Sequence, residues 1–211
     1  LKLYVIIDES LIRGRDGRWI LERVIEGGAD VVQFRAKRLS KRQYYEQALA
    51  LLSVSRRHHT PFFVNDHLDI ALAIKADGIH LGQNDLPFSA AKGLIPESML
   101  LGVSTHSPAQ AAEAMREPVS YIAIGPVFPT TTKEKPDPVV GVHTVSEVRN
   151  LIGNIPLVAI GGITAANVTD TILAGADGVA LASAVVAAEC PREAARLLKQ
   201  RIVGANRANL S

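Results

Sequence analysis

Short apolar runs recur along the chain at near-regular spacing: Leu3–Ile7, Val31–Phe34, Phe62–Val64, Gly78–Leu81, Leu100–Val103, Tyr121–Ile124, Leu157–Ile160 and Val179–Ala182. Each has strand length and gives way to a polar break. Between them lie stretches whose apolar residues fall at helical spacing. Residues 18–26 hold Trp19, Ile20 and Val24. Residues 40–57 start at Ser40, a good N-cap, and carry Tyr44, Ala48, Leu51 and Leu52. Residues 67–75, 107–116, 144–152, 164–174 and 191–203 read the same way. Ser107 caps one of these with Pro108 at its first helical position, and Thr164 and Pro191 are further starts.

One helix-to-strand junction repeats: Gly28-Ala29-Asp30-Val31, Lys75-Ala76-Asp77-Gly78 and Gly175-Ala176-Asp177-Gly178. Glycine supplies a left-handed helix C-terminus, and the recurrence argues for one repeated geometry. Near-continuously apolar strands alternating with helices indicate parallel strands covered by helices. Eight such units in a short chain predict an α/β fold, a single (β/α)8 TIM barrel. The rival is an open doubly wound sheet. No Gly-x-Gly-x-x-Gly follows a strand, which weakens a dinucleotide site.

Composition narrows the picture without redirecting it. The chain has 211 residues, 47% hydrophobic and 21% charged, an ordinary balance for one domain. No linker is visible, so residues 1–211 are expected to form a single catalytic domain. Net charge is +2 and the basic residues form no long block, so nucleic acid is not an expected partner. Cys190 is the only cysteine, which excludes an intrachain disulfide and a cysteine-built metal site. No apolar run is long enough for a membrane span, and the N-terminus reads as a strand and not a leader, so a cytoplasmic protein is the default. A homo-oligomer is compatible with the pattern, which does not define one.

In such barrels the chemistry sits at the C-terminal ends of the strands. Strand two ends Gln33-Phe34-Arg35-Ala36-Lys37, and alternation puts Gln33, Arg35 and Lys37 on one face, where two cations suit a phosphate or pyrophosphate. Asp66 and Asp85 follow adjacent strands and could share Mg²⁺, which typically takes one or two carboxylates plus phosphate oxygens; either could instead cap a helix. Strand five ends Ser104-Thr105-His106. After strand six, Gly125-Pro126-Val127-Phe128-Pro129-Thr130-Thr131-Thr132-Lys133 puts hydroxyls and an ammonium on a stiff loop, which reads as an anion cradle or as a plain Pro/Thr turn. Gly161-Gly162 and Ser183 precede helices after strands seven and eight, the usual phosphate position in these barrels, with simple turn geometry as the plainer alternative. His58, His59, His67 and His143 show no paired spacing and read as surface. Arg13, Arg15 and Arg18 read as a solvated face, with a lid over an anionic substrate as the sharper option.

Taken together, Gln33–Lys37, Asn65-Asp66, Ala76–Asp85, Gly125–Lys133 and Ala159–Ile163 resemble the thiamine-phosphate synthase family, in order and over nearly the whole chain. That family is a (β/α)8 barrel. It joins a hydroxymethylpyrimidine diphosphate to a thiazole phosphate with Mg²⁺, releasing pyrophosphate. The resemblance implies that Arg35, Lys37, Asn65 and Lys133 hold the diphosphate, with Arg35, Lys37 and Lys133 catalytic. It implies that Asp66 and Asp85 ligate Mg²⁺ and that Gln33, His80 and Ser104 surround the pyrimidine and its diphosphate. Thr130, Thr132, Gly162, Ala182 and Ser183 would hold the thiazole phosphate, several through backbone N–H groups. The family often has a bulkier aliphatic residue at the position of Ala182, a change that a backbone donor survives. His67 stands where the family usually has Arg and receives no role.

Two other readings compete. A thiazole tautomerase of the same fold needs an acid–base residue at the mouth and no diphosphate site; that branch has His at the position of Pro126. A non-catalytic thiamine-phosphate-binding protein would have no use for metal-assisted departure of a diphosphate, whereas Asp66, Asp85 and Lys133 are all present.

Overall fold

The computed structural model describes residues 2–130, 132 and 137–208. Lys133 lies outside the described residues. The elements run β1 (Leu3–Asp8), α1 (Glu9–Ile12), α2 (Gly17–Glu26), β2 (Val31–Arg35), α3 (Lys41–Arg57), β3 (Phe62–Asn65), α4 (Leu68–Ile74), β4 (Gly78–Leu81) and α5 (Phe88–Leu94). They continue with β5 (Leu100–Thr105), α6 (Pro108–Ala114), β6 (Tyr121–Ile124), α7 (Gly141–Ile152), β7 (Leu157–Ile160), α8 (Val168–Leu173), β8 (Gly178–Leu181), α9 (Ser183–Val186) and α10 (Pro191–Ala208). The strands close in sequence order into a parallel barrel, sealed where Leu3, Tyr4 and Val5 pair with Val179, Ala180 and Leu181. The expected (β/α)8 barrel is therefore the fold. Among the described residues no helix is long and apolar enough to cross a membrane.

The repeated junction is a pin at the bottom rim. Asp30, Asp77 and Asp177 each accept from the backbone N–H that opens the preceding strand, at Leu3 (2.7 Å), Phe62 (2.8 Å) and Leu157 (2.7 Å). Each Asp N–H returns a bond to the carbonyl of that same residue. Ser120 does the same for Leu101 between β5 and β6, at 3.0 and 2.7 Å. The pins thus fall between alternate strand pairs all round the barrel. They satisfy strand-start groups that have no ladder partner.

Helix ends follow the sequence closely. Ser40 and Gln43 form a full capping box on α3, Ser107 caps α6 with Pro108 inside it, and Pro191 opens α10. Thr164 is a correction: it opens a turn, and α8 begins four residues later at Val168. The short α1, α5 and α9 have no counterpart in the expected set. A single four-residue turn shows no periodicity, and α5 buries only Ala91.

Two apolar layers result. The larger lies between the sheet and its helices. The smaller fills the barrel, where the rings of Tyr4, Phe63 and Tyr121 meet pairwise with centroids 5.7–5.9 Å apart. Val31, Val158 and Ala180 complete this floor. The rings fit because β4 and β5 supply no side chain at their level: a Cβ at Gly78 would collide with the Phe63 ring and one at Gly102 with the Tyr121 ring. Gly102→Ala is therefore expected to destabilise the protein by about 1–3 kcal/mol through overpacking. The midpoint of urea unfolding checks this, and an unchanged midpoint would refute the packing account.

Candidate active site

Above the aromatic floor, the inward positions of the strands turn polar. Gln33 donates through Nε2 to the Tyr4 hydroxyl at 2.9 Å, and the Tyr4 and Tyr121 hydroxyls share a bond at 3.1 Å. Tyr121 meets His80 Nδ1 at 2.7 Å, and His80 Nε2 meets Ser104 Oγ at 2.8 Å. The imidazole also stacks on the Tyr121 ring. Burial pushes both tyrosine hydroxyls well above their ordinary pKa, so they stay protonated. The result is a fixed polar chain across the barrel, ending at Ser104 under the mouth. Sequence reasoning found Gln33, His80 and Ser104 but missed Tyr4 and Tyr121. A tyrosine inside an otherwise apolar strand was the available signal, since its buried hydroxyl must find a partner.

The mouth itself is a cavity of about 440 Å³, and every expected site residue among those described lines it. On the β2–β4 side, Arg35 pairs with Asp8 and Lys37 pairs with Asp66. The Asn65 side-chain amide faces the cavity with no hydrogen-bond partner among the described residues, although Asn65 is buried. Asp66 holds a left-handed backbone, φ 62°, and its N–H binds the His80 carbonyl at 2.9 Å. Such strain in a non-glycine residue is characteristic of sites whose surroundings fix it.

Asp85 follows β4 and accepts from Gly82 N–H at 2.7 Å, so it closes a turn and does not cap a helix. It faces Asp66 as well. Burial and the hydrogen bond its protonated carboxyl donates to Asp66 push its pKa up, with the Gly82 N–H and the Lys37 charge opposing. Two carboxyls that close do not both ionise comfortably without a cation between them. This donor set fits Mg²⁺. Among the described residues no cluster of three or more His, Cys, Asp or Glu side chains could cage a metal, and Mg²⁺ usually completes its shell with water and phosphate.

Tyr44, expected only as a core residue of α3, braces this side from behind. Its hydroxyl bonds the carbonyls of Phe34 (2.7 Å) and Asn65 (3.2 Å), joining the ends of β2 and β3 just where they carry Arg35 and Asp66. His67 packs edge-on against the Tyr44 ring and not on the cavity.

The β6–β8 side is built from backbone. Gly162 has φ 64°, and a Cβ there would run into the carbonyls of Phe128 and Pro129. The chain after β7 is thereby pressed against the loop that carries Thr130 and Thr132. Ala182 and Ser183 follow β8 on the same rim. The N–H groups of Gly162, Ile163 and Ser183 have no acceptor among the described residues. His106 ties the loops together: Nδ1 meets the Gly125 carbonyl, and Nε2 lies 3.5 Å from Asp137. Arg15 is a second correction. It is no solvated side chain but a strut that donates to the carbonyls of Ile12, Ala188, Val186 and Leu11, fixing the β1 loop to the C-terminal end of α9 and the residues just after it.

Barrels of this class keep their chemistry on the C-terminal rim and seat phosphorylated substrates against the loops after the seventh and eighth strands; this mouth has that form. Residues 3–185 match the family described as thiamine monophosphate synthase, and the chain belongs to that family. It is similar to the thiamine-phosphate synthase of Chloroflexus aurantiacus, 47% identical over 198 residues, spanning 94% of this chain and 91% of that one. It is 45% identical to the thiamine-phosphate synthase of Methanoculleus marisnigri over 203 residues, 96% of each. Among solved structures it is similar to a thiamine phosphate pyrophosphorylase from Pyrococcus furiosus, with TM-score 0.87 and 35% identity, covering 97% of this chain and 96% of that one.

Proposed function

We propose that the chain acts as one barrel domain that joins 4-amino-2-methyl-5-hydroxymethylpyrimidine diphosphate to 4-methyl-5-(2-phosphoethyl)thiazole, giving thiamine phosphate and pyrophosphate. The observation that carries this reading is the division of one cavity into two anion sites of different construction. Cations and a carboxylate pair lie after β2–β4, and a backbone N–H cradle lies after β7 and β8.

Arg35, Lys37 and Asn65, with Lys133 as an expectation from the sequence, bind the diphosphate and stabilise the charge it gathers as it departs. Asp66 and Asp85 would hold Mg²⁺, which supplies further neutralisation of that charge when bound. Gln33, His80 and Ser104 orient the aminopyrimidine, whose electron-rich ring shares the positive charge on the reacting carbon. Thr130, Thr132, Gly162, Ala182 and Ser183 bind the thiazole phosphate and so aim the thiazole nitrogen at that carbon. This nitrogen carries no proton to remove, so the step needs no general base. The apolar walls, Ile6, Ile160 and Ala180 among them, keep water from the reacting carbon.

Mixing the purified protein with both substrates and Mg²⁺ tests this. Stoichiometric pyrophosphate and thiamine phosphate are expected. Isomerisation of the thiazole without a diphosphate would show a tautomerase, and binding of thiamine phosphate without turnover would show a binding protein.

A further inference from the structure

The reading above gives Arg35 a role and leaves Asp8 with none. Asp8 ends β1 and is paired with Arg35 in the β1–β2 register. One carboxylate serves two elements. Oδ1 accepts from the Ser10 N–H at 3.0 Å and the Ser10 hydroxyl at 2.6 Å, which caps α1. Oδ2 accepts from Arg35 Nη1. The Asp8 side chain is 3% exposed and that of Arg35 17%. Both line the mouth, and the remaining N–H groups of Arg35 have no acceptor among the described residues.

By charge alone this carboxylate is in the wrong place. It lies beside a site for a multiply charged anion, and it opposes binding there. Its benefit must come from geometry. An arginine side chain has several rotatable bonds, and its fork binds phosphate well only when aimed. A buried carboxylate gripping one Nη leaves the other donors facing the cavity in a fixed direction. Because the same carboxylate caps α1, the aim of Arg35 and the seating of the β1 loop are set together.

We propose that Asp8 is a positioning residue for the diphosphate, acting through Arg35. The identity of the anion rests on the synthase reading; the geometry does not. The test is a double-mutant cycle of Asp8→Ala, Arg35→Ala and the double variant, read by calorimetric pyrophosphate binding in Mg²⁺ and by KM for each substrate. Thermal melts are the folding control. The isosteric Asp8→Asn, which has a single acceptor oxygen for two sets of donors, stands in if the alanine variant does not fold. Asp8→Ala is expected to weaken pyrophosphate binding and raise KM for the diphosphate about 10-fold, the scale of a misaimed binding group. KM for the thiazole phosphate should hold. In the Arg35→Ala background the change should vanish.

Tighter pyrophosphate binding in Asp8→Ala would overturn the proposal, because it would mean that charge and not aim dominates. Equal effects on both KM values, or effects additive with Arg35→Ala, would reduce Asp8 to a helix cap and overturn it too. A wild type that neither turns over nor binds pyrophosphate would instead overturn the synthase reading.

Discussion

Asp66→Ala and Asp85→Ala are each expected to lower turnover by about 10²–10³-fold, the scale of removing one contact to charge that develops in the transition state. The two losses should not add, because either one dismantles the same ion site; the double variant should be little worse than each single one. Free protein should bind Mg²⁺ weakly and bind it tightly only with the diphosphate, since two carboxylates are a partial shell. The Asp66–Asp85 contact adds a stability signature. Asp85 holds its proton more tightly folded than unfolded, so this group favours the fold most below its unfolded value of 3.8. That contribution is lost as pH rises through the raised folded value. Above that folded value and without metal, Asp85→Asn should therefore stabilise the protein, by about 0.5–2 kcal/mol, the range of a single charge-optimising change, while lowering turnover on the same scale as Asp85→Ala. A Mg²⁺ titration of turnover with circular dichroism as the folding control checks the set. Wild-type turnover in either alanine variant, or full activity in excess chelator, would end the metal assignment and leave the barrel intact.

Arg35→Ala and Ser183→Leu are expected to separate the two anions. Arg35→Ala removes a charge-assisted contact and should raise KM for the diphosphate, or lower kcat, by about 10–100-fold. It also strands Asp8, a buried carboxylate, at a cost of about 3–5 kcal/mol in stability. Asp8→Ala in the same chain should recover part of that loss. Ser183→Leu fills the cradle after β8 and should raise KM for the thiazole phosphate by about 10²-fold with little change for the diphosphate. Steady-state kinetics with each substrate varied decides the matter. Identical effects of both variants on both substrates would contradict the division of the mouth.

The barrel was legible because its strands are buried on both faces and its helices are amphipathic, so hydrophobic periodicity carried most of the topology. The repeated Ala-Asp junction was visible as a pattern, but its job was not: reciprocal bonds to a neighbouring strand start appear only when the strands are side by side. Ser120 performs the same job with a different residue and left no trace in the repeat. The lining of the mouth was legible wherever polar residues marked strand ends, as at Arg35, Lys37, Asp66, Asp85 and Ser104. Asp8 obeys the same rule and was overlooked because the first strand carried no cationic partner of its own; its partner lies 27 residues away. Tyr4, Tyr44 and Tyr121 were hidden as hydrophobic residues, since the sequence shows their rings in the core and not where the hydroxyls point. Arg15 was misread for the opposite reason: a charged side chain in a polar loop gives no hint that carbonyls from a distant segment converge on it.

A crystal structure with thiamine phosphate, pyrophosphate and Mn²⁺ in place of Mg²⁺ tests the division of the mouth most directly. The account predicts an anomalous peak between Asp66 and Asp85, pyrophosphate against Arg35, Lys37 and Asn65, and the product's phosphate on the N–H groups of Gly162 and Ser183. A metal bound away from the two aspartates, or the two anions in exchanged positions, would contradict it.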